Sequence, residues 1–151
     1  MQKFEFPLER LLKIRRQQER LAELEVMRAI AAVDAAKARV EELREKLRRH
    51  SEQMTQFVGR TLSPHEWVAG CDFSNHLGQS ITQALKEVGL AEQRVAEASA
   101  KRTEVASEAE AMQSLRDQQY SQFKQELQKF DQERVDEAGL RRWLASAPER
   151  E

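Results

Sequence analysis

His65, Cys71 and His76 are the only set in this 151-residue sequence that resembles metal ligands. A structural zinc site needs four well-spaced nitrogen or sulfur ligands, and three irregularly spaced ones fall short. Loop residues of no special role are the better reading, with no metal and no cofactor. No nucleophile elbow, phosphate-cradling glycine loop or Ser/His/Asp arrangement is present, which argues against an enzyme. What remains is binding chemistry. Trp67, Phe73 and Leu77 stand close together between two long charged stretches. Large apolar side chains in such a place either plug a turn or anchor a partner, and the residues alone leave both open.

The elements that would position them come from periodicity. Val33, Ala36, Val40, Leu43, Leu47, His50, Met54 and Phe57 recur at alternating steps of three and four. That is the apolar seam of a coiled coil, and a seam this narrow needs a second helix to cover it. A matching series, Ile81, Ala84, Val88, Ala91, Val95, Ala98, Arg102, Val105, Ala109 and Met112, lies in the second half. After it, Arg116, Tyr120, Phe123, Leu127 and Phe130 include two consecutive steps of four, a stutter that locally relaxes the supercoil. No proline or glycine interrupts residues 8–58, so the spacing predicts a first helix there. Gly59 suits a helix C-cap, and Ser63-Pro64-His65-Glu66 has the form of a capping box starting a short helical turn. With Gly70 and Gly78 as possible breaks, the connection is expected over about 59–72 and the second helix over about 73–144. The whole chain then reads as one domain.

Composition agrees with long helices over a thin seam: aromatics are 6% and charged residues 34%. The net charge of −1 hides an asymmetry, because residues 1–62 hold 14 Lys and Arg against 10 Asp and Glu, and residues 63–151 hold 11 against 16. Opposite halves suit antiparallel pairing and argue against a nucleic-acid surface, which needs a continuous basic face. The single cysteine excludes an internal disulfide and points to a reducing compartment. The start, Met-Gln-Lys-Phe-Glu-Phe-Pro, has charges where a signal peptide needs its apolar run. The most apolar window, Ala29–Ala36, is short and contains Asp34, so no membrane span is expected.

Pairing the two seams with Leu47 facing Val88 and Met54 facing Ile81 places Leu12 opposite Phe123 and Leu8 opposite Leu127. His50 and Arg102 then act as polar seam residues that penalise wrong alignments. Residues beyond about Phe130 overhang the base, and Phe4, Phe6 and Leu140 to Leu144 are left without cover. Ile14, Leu21, Leu24 and Met27 fall outside the seam, on either a wider packed face or an exposed patch. The expected fold class is all-α, an elongated antiparallel two-helix coiled coil, or α-hairpin.

Three short patterns, in this order and spacing, resemble the FliJ family of flagellar type III export proteins. They are Phe4-x-Phe6-x-Leu8-x-x-Leu11-Leu12 followed by Arg15 and Glu19, the middle Trp67, Phe73 and Leu77, and Asp131-Gln132-Glu133-Arg134-Val135-Asp136-Glu137. The resemblance covers nearly the whole chain, apart from the tail Leu140 to Leu144. It implies a non-enzymatic hairpin similar to the central stalk of rotary ATP synthases, monomeric when free. It further implies docking into a hexameric export ATPase (FliI-like) through Phe4, Phe6, Leu8, Leu11, Leu140, Arg141 and Trp143. Docking to an export-gate protein (FlhA-like) would use Leu43, His50, Trp67, Phe73 and Leu77, and export chaperones would be further partners. Such a protein is cytoplasmic and reaches the inner membrane only through its partners. The stalk of a virulence secretion system is closely similar, and a coiled-coil spacer with no export role is the alternative of another class. A spacer needs only a uniform seam and polar ends, whereas aromatics mark both ends and the tip here.

Overall fold

Ser63 begins the longer of two helices, and it does so by side-chain chemistry. Its backbone N–H donates to Glu66 Oε2 at 2.9 Å, while Glu66 N–H donates back to Ser63 Oγ at 3.3 Å. This is the reciprocal capping box, with Pro64 supplying a first helical residue that needs no N–H. The backbone hydrogen bond from Ser63 also holds the Glu66 carboxyl below its ordinary pKa. The computed structural model describes residues 3–57 and 62–146. It contains α1, Glu9–Gln56, and α2, Pro64–Ser146, packed as a helical hairpin with no strand among the described residues.

α2 therefore starts at Pro64 rather than near residue 73, and Gly70 and Gly78 lie inside it. Helix-interior glycine costs only about 1 kcal/mol, which seam burial next to it offsets. α1 ends at Gln56, with Phe57 N–H closing a last bond to the Met54 carbonyl at 3.3 Å. The expected Gly59 cap lies outside the described residues.

The chain divides into two compact units, Gln18–Val105 and Met1–Gln17 with Ala106–Glu151. In the first, Val33, Val40, Leu43, Leu77, Ala84 and Ala91 are buried, with Leu47, Ile81 and Val88 packed on the central cluster. Every one of them is a seam residue or, like Leu77, continues the second seam backwards by one step of four. The alignment of the helices differs from expectation. Glu23 accepts from Arg102 at 2.9 Å, Lys37 pairs with Glu92 at 3.1 Å, and His50 reaches the Gly70 carbonyl at 2.9 Å. The expected pairing put each of these α1 residues further along α2, by roughly ten residues or three turns on average. The early start of α2 is the reason, because it moves the centre of the turn towards Leu62.

The second unit is built around Leu12, only 2% exposed, with Phe6 and Ala109 buried beside it. Arg116 Nε donates to Glu9 at 3.0 Å, and Arg15 pairs with Glu108. Phe4 takes the place expected for Leu12: its ring meets Tyr120 edge-on at 5.2 Å and Phe123 at 5.6 Å. Phe6 is thus core, and Phe4 is half-buried, contrary to the expectation that both lack cover. Pro7 turns the extended segment so that these two rings pack back before α1 begins. Of the four ion pairs between helices among the described residues, two take their cation from α1 and two from α2. The charge difference between the halves is therefore not what selects the pairing, and exposed pairs of this kind contribute little each.

Candidate partner-docking surfaces

Gly70 brings the helices close near the turn. It is buried, and a Cβ there would lie 2.6 Å from Met54 Cε, so the methionine rests on the bare backbone. Beside it, the His50 ring donates through Nε2 to the Gly70 carbonyl and meets the Phe73 ring edge-on at 4.8 Å. Phe73 keeps 47% of its surface exposed. Trp67, also half exposed, lies on the other flank of the seam, where it lines a groove of about 460 Å³ with Leu47, Met54 and Cys71. A six-residue separation on a helix carries two side chains about 120° apart, and this separates Trp67 from Phe73. Leu43 and Leu77 are each 5% exposed, so they support the surface from within rather than present themselves. Phe57, expected as the last residue of the first seam, is exposed next to the turn, and so is Val68, which belongs to no recognisable pattern and was not singled out by the sequence. His65, Cys71 and His76 are not brought together. Among the described residues, no group of three His, Cys, Asp or Glu side chains converges as metal ligands would.

The other surface is the end of α2. From Lys124 to Ser146 every residue is exposed, a stretch of roughly 34 Å at helical rise. Phe123, Leu127, Phe130, Arg134, Glu137, Arg141 and Leu144 continue the three-four series, so the seam runs on with no α1 to cover it. Its two ends are apolar and its centre is charged. Arg141 donates to Glu137 at 3.4 Å, and the Arg134 guanidinium lies 6.0 Å from the Phe130 ring centre. Leu140 and Trp143 flank this strip, 60% and 66% exposed. Leu8, just before α1, and Leu11, in its first turn, are the remaining residues expected at this end, and each is 39% exposed. The structure thus keeps Leu8, Leu11, Leu140, Arg141 and Trp143 available, and withdraws Phe6. Sequence spacing missed Val135, 66% exposed, which belongs to no stripe.

Ile14, Leu21, Leu24 and Met27 are all exposed, which answers whether they widen the core. No helix among the described residues is long and apolar enough to cross a membrane. The family model described as "Flagellar FliJ protein" matches residues 4–147 of the chain. No curated protein and no solved structure matches it.

Proposed function

As the chain belongs to the FliJ family of flagellar proteins, we propose that it is a non-enzymatic stalk of the flagellar export machinery, docking into a hexameric export ATPase. The observation that carries this reading is the uncovered seam from Leu127 to Leu144. An apolar side chain moved from water into a packed interface contributes about 1.5–3 kcal/mol, so a strip with Leu127, Phe130, Leu140, Trp143 and Leu144 is suited to a partner. Leu8 and Leu11 add exposed apolar side chains on the α1 side, and Arg141 adds orientation more than affinity. At the turn, Phe73 on His50 and the separate Trp67 groove are the surfaces offered to an export-gate protein. The exposed Leu21, Leu24 and Met27 suit an export chaperone. The stalk is cytoplasmic, monomeric when free, and meets the membrane only through these partners.

The test is ATP turnover by the purified ring, with full-length protein and with a truncation lacking residues 124–151. Phe4 and Phe6 are retained because they belong to the core. Stimulation is expected to vanish with the truncation while circular dichroism shows the hairpin intact. A folded truncation that stimulates fully overturns the proposal.

A further inference from the structure

Between the extended N-terminal segment and α1 lies a cleft of about 800 Å³. Phe4, Phe6 and Pro7 form its apolar side, and Arg10, Lys13 and Arg116 its polar side. The cations differ in state. Arg116 is held by Glu9, whereas Arg10 and Lys13 form no ion pair or hydrogen bond among the described residues. Three residues apart on one helix, they project to the same side. Their neighbours on α1 do not share this freedom, because Arg15 and Arg16 are engaged by Glu108 and Gln113. Glu5 and Glu9 are the acids among the described residues lining the cleft, against Arg10, Lys13 and Arg116, so positive charge is in excess there.

We propose that this cleft takes a carboxylate-bearing segment of the partner that docks at this end, its acidic side chains on Arg10 and Lys13 and an adjoining apolar side chain against Phe4 and Pro7. The inference rests on the ring-docking reading and assigns the chemistry of the ring surface: Asp or Glu next to an aliphatic or aromatic residue. Arginine meets a carboxylate through two parallel N–H donors, and a neighbouring lysine adds a point charge. A protein segment is favoured over other anions by shape and number. A bilayer is broad and flat and does not enter a concave cleft. A nucleic-acid backbone needs more cations than Arg10 and Lys13 supply, in a chain of net charge −1.

The experiment measures binding of the purified hexameric ATPase to wild type, to Arg10→Glu/Lys13→Glu, to Arg10→Lys/Lys13→Arg, and to a truncation after Phe123, at low and high salt. Both cations are exposed and form no ion pair among the described residues, so the fold does not need them; circular dichroism verifies this. Charge reversal is expected to weaken binding by about tenfold or more at low salt and to flatten its salt dependence, with the exchange variant close to wild type. Unchanged affinity and salt slope in the reversal variant, with binding lost on truncation, overturns the cleft and leaves the stalk reading standing. Failure of wild type to bind the ring overturns both. A parallel sedimentation with phosphatidylglycerol vesicles closes the remaining route. If charge reversal abolishes vesicle binding and leaves ring binding intact, the cleft serves a membrane and the proposal is wrong.

Discussion

Glu45 accepts hydrogen bonds from Arg48 and Arg49 at 2.6–2.8 Å, on the exposed face of α1. The Arg48 bonds, followed by those from Arg49, hold its carboxyl at a pKa of about 2. The folded value lies below the ordinary carboxylate range. Whatever stability the group adds is therefore present above that range and is lost as pH falls through about 2. Carboxyl carbon shifts followed by NMR should give a Glu45 midpoint near 2, rising towards the ordinary range in Arg48→Ala, with Arg49 still holding it below. Residues around the turn separate by burial in the same way. Leu77→Ala, at a site 5% exposed, should cost about 2–5 kcal/mol in urea denaturation. Phe73→Ala should leave most of the stability intact and weaken binding to the export gate by about 1–2 kcal/mol or more, as truncation of an interface anchor does. A Phe73→Ala protein with wild-type gate affinity would remove that face from the docking surface and leave the Trp67 groove.

At the scale of elements, helix existence and the buried stripe were legible because an apolar residue every three or four positions admits one interpretation over fifty residues. The alignment between helices was not. A seam repeats with each heptad, so sliding one helix by whole repeats still sets apolar against apolar, and only the turn distinguishes the choices. Gly70 and Gly78 read as breaks and so hid nine residues at the start of α2. The capping box at Ser63 was visible, but a sequence does not show whether the helix it starts will continue. Cysteine pairs decide between the alignments. In a Cys71→Ser background, Val40→Cys with Ala84→Cys should form a disulfide within one chain, and Val40→Cys with Val95→Cys should not. Gly89 and Gly139 have open space around the missing Cβ, so each change to Ala should stabilise its helix by about 1 kcal/mol, read in thermal melts.

For the whole molecule, the functional ends were legible as to residue type and less so as to state. Exposed Leu140 and Trp143 behave as their apolar spacing suggested. Phe6 does not, because its burial depends on an extended segment turning at Pro7 to meet α2, an arrangement that helix periodicity cannot encode. The cleft beside Arg10 and Lys13 exists only because of that turn.

The hairpin's pairings also differ in how much chain they enclose. His50 and Gly70 close a separation of 20 residues, Glu23 and Arg102 one of 79, and Glu9 and Arg116 one of 107. Closing a longer loop costs more entropy, so contacts near the turn form before those that tie the first residues down. Such a chain zips from the turn outward and unzips from its ends. Amide exchange should therefore be slowest around Val40–Leu43 and Leu77–Ala84 and become faster towards Glu9 and Arg116. A partner that grips the first residues of α1 would act on the last part of the zipper to close, and its arrival should slow exchange there before anywhere else.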